Sequence, residues 1–264
     1  MRVTVLTENT AEREDIRAEH GLSLYIETER HTVLLDMGQT DAFARNADTL
    51  GIDLGRVDVA ILSHGHYDHG GGMHAFFARN DHAPVYLSRH AFGAHYNGTQ
   101  KYIGLDPALR DSHRLRFIDG TLVLDGELSL YACADRERVV PTNPFGLCVQ
   151  REGEFQPEDF LHEQYLLIRE GEKRVLFSGC SHRGIRNIVH WFSPDVLVGG
   201  FHFSKLDPDR PADASFLRDA ADHLLSFPTR YFTGHCTGLP VYEFMRALMG
   251  ERLIRISAGM SFTL

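Results

Sequence analysis

Four side chains able to hold a metal ion fall within six residues of this sequence, in Ser63-His64-Gly65-His66-Tyr67-Asp68-His69-Gly70-Gly71-Gly72. The segment follows the apolar run Val59-Ala60-Ile61-Leu62. A tight loop at the end of a buried strand can turn His64 and His66 toward one ion and Asp68 and His69 toward a second. The glycines let the backbone come close, because they carry no Cβ. A lone histidine is more often a surface residue or a satisfied core residue. Four ligand types at this spacing, after a strand and before a glycine-led helix, read instead as a metal site. The chain holds 16 histidines, several ending apolar runs beside glycine. Imidazole is the commonest metal ligand and carries protons near neutral pH, so the other histidines are candidates too.

The segment resembles the signature of the metallo-β-lactamase superfamily. The likeness continues through Leu35-Asp36-Met37-Gly38, Leu176-Phe177-Ser178-Gly179-Cys180-Ser181-His182 and Thr233-Gly234-His235-Cys236. Gly179 to Ile185 with Asn187-Ile188, Gly199-Gly200-Phe201-His202 and Gly234-His235-Cys236-Thr237-Gly238 are similar to one subgroup. That subgroup is named for 7,8-dihydropterin-6-methyl-4-(ribofuranosyl)-aminobenzene-5′-phosphate synthase, and many of its members carry only a generic hydrolase label.

The resemblance implies two divalent ions, zinc first, with manganese or iron as alternatives. It implies that His64, His66 and one later histidine hold the first ion, and that Asp68, His69 and His235 hold the second. We favour His162, in Phe160-Leu161-His162-Glu163-Gln164, as that later histidine, because it precedes the strand pair leading to Gly179; a surface loop histidine is the alternative. Where the superfamily commonly has a bridging aspartate, this chain has Cys180, with His182 two residues on. Cys180 is either a thiolate bridge, which suits zinc, or a small buried residue, and His182 would offer a nitrogen to either ion. His202 would donate a hydrogen bond to substrate or to developing negative charge, or else pack in the core. Asp36 is expected to fix the tautomer of a ligating imidazole. Asp68 and His202 are the candidate catalytic groups. His74 is placed on the helix after the motif, and His90, His95 and His113 are read as solvated loop residues.

Positioning these residues needs many strand ends. Short apolar, β-branched runs bounded by Gly, Asp or Asn predict strands over 3–7, 22–27, 32–36, 57–62 and 84–87, and a hairpin over 122–132 around Asp125-Gly126. Further strands are predicted over 147–150, 164–169, 174–178, 196–199, 230–233 and 253–257. Helical spacing marks 42–50, 73–79, 185–191, 213–225 and 241–249. Strands preceding helices in both halves imply two packed sheets with helices outside, a four-layer α/β/β/α sandwich spanning 1–264 as one domain. The strand-helix-strand from Val33 to His64 also echoes the one from Val175 to His202, although chance similarity would produce as much. The polar, turn-rich segment 93–116 reads as a long loop or lid.

Composition narrows the function. A net charge of −9 and no run of Lys or Arg argue against a nucleic-acid partner, and against a nuclease of the same superfamily. No apolar stretch is long enough to span a bilayer and no leader precedes the first strand, so the expectation is a cytoplasmic protein without a membrane partner. The four cysteines show no paired spacing and are expected to be reduced. Two metals suit hydrolysis of an ester, phosphoester or amide, and equally a condensation that expels pyrophosphate. The expected partner is a small, phosphorylated or pyrophosphorylated molecule. A metal-dependent binding or sensing module without turnover is the alternative from another class. A redox diiron enzyme on this fold would usually carry Glu where this chain has His66.

Overall fold

The computed structural model describes all of residues 1–264. Strands β1 (Arg2–Thr7), β2 (Ser23–Glu27), β3 (Thr32–Leu35), β4 (Val59–Ile61) and β5 (Val85–Ser88) open the chain. Next come β6 (Ala94–Asn97), β7 (Lys101–Tyr102) and β8 (Leu115–Ile118), then β9 (Thr121–Val123) and β10 (Leu128–Tyr131). The later strands are β11 (Leu147–Arg151), β12 (Glu154–Pro157), β13 (Tyr165–Glu170), β14 (Lys173–Gly179), β15 (Val196–Gly199), β16 (Arg230–Thr233), β17 (Leu253–Arg255) and β18 (Ser261–Thr263). The α-helices are α1 (Ala42–Leu50), α2 (Tyr67–Gly70), α3 (Met73–Arg79), α4 (Ile185–Phe192), α5 (Pro211–Leu225) and α6 (Leu239–Met249). None is long and apolar enough to cross a membrane.

Two seven-stranded sheets result, ordered β18-β1-β2-β3-β4-β5-β8 and β17-β16-β15-β14-β13-β10-β9. Successive side chains along a strand point to opposite faces, so a sheet covered on both sides feeds two separate cores. Leu24, Ile26, Val33 and Leu35 meet Leu166, Ile168, Val175, Phe177, Val196 and Val198 between the sheets. Their neighbours Tyr25 and Leu34 face outward onto α1 and α3 through Phe43, Ala47, Met73 and Phe76. Leu167, Leu176 and Leu197 face the other way, onto α4, α5 and α6 through Ile188, Leu217 and Met245. This is the four-layer α/β/β/α sandwich. The echo between the halves is topological as well: β3-α1-β4 and β14-α4-β15 are both parallel strand pairs joined across a helix.

The predicted segment 93–116 is not an open loop. It contains β6, β7 and the start of β8, and β6 pairs with β11 in a third sheet ordered β12-β11-β6-β7. Ala94-His95-Tyr96-Asn97 has no β-branched residue, and its partner lies far away in sequence, so no local pattern marks it as a strand. One consequence is that His95, expected to be solvated, is buried against β11 and the segment after β12.

The inter-sheet layer sets the distance between the two sets of strand ends. Phe177 is fully buried there. Phe177→Ala is expected to cost about 3–5 kcal/mol of unfolding free energy in a denaturant titration. A cost near zero would show that this layer does not hold the sheets together.

Candidate metal centre

The motif loop is tied down by one buried carboxylate. Asp36, at the end of β3 with φ +58°, accepts from the Ser63 amide at 2.7 Å, from the Ser63 hydroxyl at 2.7 Å and from His69 Nδ1 at 2.6 Å. Two glycines make the loop's packing possible. A Cβ on Gly65 would lie 2.0 Å from the Ala91 carbonyl oxygen. Gly179 has φ +59°, and a Cβ there would meet Ser63 Oγ at 2.3 Å. Non-glycine residues in the left-handed region also gather here: Asp36, Phe160, Ser181, His202 and His235. Strained backbone of this kind persists only where the surroundings over-determine it.

The hydrogen bonds assign the tautomers. His69 Nδ1–H donates to Asp36, so Nε2 is the nitrogen left for a cation or a second proton. His235 Nδ1–H donates to Asn9 Oδ1 at 2.8 Å, leaving its Nε2 bare. Those two Nε2 atoms lie 3.1 Å apart, with Asp68 Oδ2 3.4 Å from His235 Nε2. Ser63 Oγ gives its proton to Asp36 and therefore accepts from His64 Nδ1–H at 2.9 Å, which turns the His64 lone pair toward His182 Nε2 at 3.2 Å. Buried ring nitrogens that face each other at such separations need a cation or a proton between them. The donor set fits a metal.

Charge states follow the same geometry. Burial, reinforced by neighbouring imidazoles, holds His64 and His182 well below the ordinary histidine range, and burial does the same to His66. Burial also opposes a proton on His69, but the Asp36 carboxylate outweighs it and raises this histidine to about 9. Burial disfavours the Asp68 carboxylate, yet the imidazoles of His20 and His235 beside it hold it well below its usual value. Burial pushes the Cys180 thiol up.

Two groups emerge. His64, His66 and His182 offer ligand atoms within 4.8 Å of one another, and so do His20, Asp68 and His235. Cys180 Sγ lies 3.2 Å from His69 Nε2 and is within reach of His64, between the groups. Cys236 joins Cys180 and His235. The structure groups His182, and not the His162 favoured from the sequence, with both His64 and His66. His162 accepts the Gly65 amide on Nδ1 at 2.9 Å and groups with His66, His95 and Glu158. His202 packs on His182 with ring centroids 4.2 Å apart, and both its ring nitrogens are buried without a partner. The groups open into a cavity of about 310 Å³ also lined by Lys101 and Lys205. Sequence reasoning missed His20, Cys236 and both lysines. Cys236 had a signal, its place beside His235; the lysines had none.

The model of the metallo-beta-lactamase superfamily matches residues 16–235. The chain belongs to that superfamily. An uncharacterised protein of Methanocaldococcus jannaschii is 28% identical over 246 residues, covering 89% of this chain and 90% of its own. From the same organism, 7,8-dihydropterin-6-methyl-4-(beta-D-ribofuranosyl)-aminobenzene-5′-phosphate synthase is 25% identical over 268 residues, covering 92% of this chain and 89% of its own. The crystal structure of a metal-dependent hydrolase of the beta-lactamase superfamily superposes with a TM-score of 0.81 at 27% identity, covering 100% of this chain and 99% of that one. Within this superfamily member, the buried histidines and Asp68 form the clusters able to take divalent ions.

These charge states predict how chelator-treated protein responds to pH. His69 is raised, so its contribution is complete below pH 6.5 and is lost as pH climbs toward 9. His64, His66 and His182 are depressed, so the unfolded chain takes up protons below pH 6.5 and stability falls on acidification. In thermal unfolding, the stability of the metal-free form should therefore weaken below pH 6.5 by about 1.4 kcal/mol per pH unit for each proton, and above it the His69 loss runs against the gain from the lowered Cys236 thiol. In Asp36→Asn the His69 loss should shrink. An unchanged alkaline limb in that variant would refute the His69–Asp36 assignment.

Proposed function

We propose that this chain is a dinuclear metal-dependent hydrolase acting on a small phosphorylated or pyrophosphorylated molecule. One observation carries the reading: ring nitrogens of His64 and His182, and of His69 and His235, face one another in pairs 3.2 and 3.1 Å apart beside a cavity lined by Lys101 and Lys205. In a chain of net charge −9 this cavity combines two ammonium groups with sites for divalent ions, so an anion is the partner it favours.

Bound there, two divalent ions would supply the Lewis acidity that activates water and neutralises leaving-group charge. His64, His66 and His182 would hold one ion, and Asp68, His69 and His235 the other, with Cys180 facing both. Asp68 stays ionised in this setting, so it is ready as a ligand and as a proton acceptor at its carboxylate. Lys101 would engage the anionic group from β7 and Lys205 from the segment after β15. Lys101 is steadied by Tyr67, whose hydroxyl lies 3.3 Å from Nζ. His202, with both ring nitrogens unpartnered, would donate to oxygen as charge develops. The second reading is a transferase that expels pyrophosphate. It is favoured by the synthase relative, which aligns with 92% of this chain.

A panel of phosphomonoesters, phosphodiesters, pyrophosphates and neutral esters, assayed with zinc, manganese or iron, tests the reading. The Lys101→Met, Lys205→Met protein should keep its metal and lose roughly 10–100-fold in kcat/KM on phosphorylated substrates, the worth of a charge-assisted hydrogen bond or two. His202→Ala should lower kcat and kcat/KM together by about 10²–10³-fold. Turnover confined to uncharged esters would eliminate the phosphate reading, and no turnover on any class would favour a binding module.

A further inference from the structure

The His95, Glu158 and His162 cluster lies behind the metal centre and takes no part in the scheme above. We propose that these three residues form a positioning unit for His66, centred on one ordered water, and do not form a third cation site. The inference rests on the dinuclear reading.

The four side chains, His66 included, are all buried and bring ligand-type atoms within 4.8 Å of one another. Taken alone, that is the description of a metal cage. The proton positions decide otherwise. The Gly65 amide donates to His162 Nδ1 at 2.9 Å, so the proton of the neutral ring is on Nε2. His95 Nδ1 lies 2.7 Å from Glu158 Oε2 and donates to it, leaving a lone pair on its Nε2. For His66, Nε2 is buried without a partner, whereas Nδ1 is the nitrogen left to face the cavity. An ion on Nδ1 leaves the proton on Nε2. The remaining acceptor is the second lone pair of Glu158 Oε1, which already accepts the Phe160 amide at 3.2 Å and lies 3.8 Å from His162 Nε2, too far for a direct bond.

The cluster therefore presents two donors, His66 Nε2–H and His162 Nε2–H, and two acceptors, His95 Nε2 and Glu158 Oε1. One water accepts twice and donates twice, so it meets all four demands, and buried waters typically make two to four such bonds. A metal would need lone pairs on His66 and His162 where protons sit. The adjoining cavity of about 220 Å³ is lined by Arg89, Arg110 and Arg151 together with Glu158 and Asp159, and Arg151 is paired with Asp159 at 2.7 Å. The unit has a clear task. Imidazole ligands are oriented by what their second nitrogen donates to, and loss of that partner typically costs 10–100-fold in metal affinity. Here the partners come from β6 and from the segment between β12 and β13, and His162 also holds the Gly65 amide between the two motif histidines.

The test is zinc titration of the intact chain by chelator competition, with the Co²⁺ absorption spectrum as a second readout. Wild type should bind two equivalents. His162→Ala and Glu158→Ala should still bind two, with one ion weakened 10–100-fold and its cobalt bands shifted, and the other unchanged. His162→Asn can both accept from Gly65 and donate, and should recover much of the loss; if the alanine variants do not fold, as judged by circular dichroism, this variant and His95→Phe carry the comparison. Three equivalents in wild type, falling to two in Glu158→Ala, would establish a cation site and overturn the proposal. Two equivalents with unchanged affinities in every folded variant would overturn it as well. Fewer than two in wild type would contradict the dinuclear reading itself, and this inference with it.

Discussion

The rest of the site depends on the Asp36 carboxylate, fully buried at the end of β3. An ionised carboxylate away from water is costly unless its lone pairs are met, and here three donors meet them. Those donors are what make the site. The Ser63 amide and hydroxyl anchor the start of the motif loop, Ser63 in turn orients His64, and His69 is turned so that its Nε2 faces His235. A single charge in the first sheet thus sets the tautomers on both sides of the centre. A neutral residue of similar size would leave Ser63 and His69 to find other partners, and the lone pairs would no longer converge.

That arrangement needs two sheets to meet at one edge. His64 and His69 follow β4, His182 and Cys180 follow β14, and His235 follows β16. His64, Cys180, His182 and His235 sit within three residues of their strand ends and His69 on the short helix α2, and the backbone beyond the strands takes up left-handed conformations at Ser181, His202 and His235. The apolar layer of Phe177, Val175 and Leu35 fixes how far apart these strand ends sit. Fold and site are therefore coupled through packing, while the chemistry is written in the few residues after each strand.

The sequence carried much of this. The helix from Ala42 to Leu50, the helix from Met73 to Arg79 and the strands from Val196 to Gly199 and from Arg230 to Thr233 were legible to the residue, because apolar spacing and glycine punctuation are local signals. The motif loop was legible for the same reason. The third sheet was not, since Ala94 to Asn97 is polar and becomes a strand only by pairing with distant Leu147 to Gln150. Choosing between His162 and His182 needed the direction of each side chain. The turn after β14, with Gly179 and Ser181 both left-handed, swings His182 to His64, and no spacing rule reports that. Lys101 and Lys205 meet the cavity only through tertiary packing.

Anomalous diffraction from crystals grown with zinc tests the central claim most directly, because it locates ions without assuming activity. The account predicts two peaks about 3.5–4 Å apart, one between His64 and His182 near His66, the other between His69 and His235 near Asp68. A single peak elsewhere, or none at saturating zinc, would contradict it.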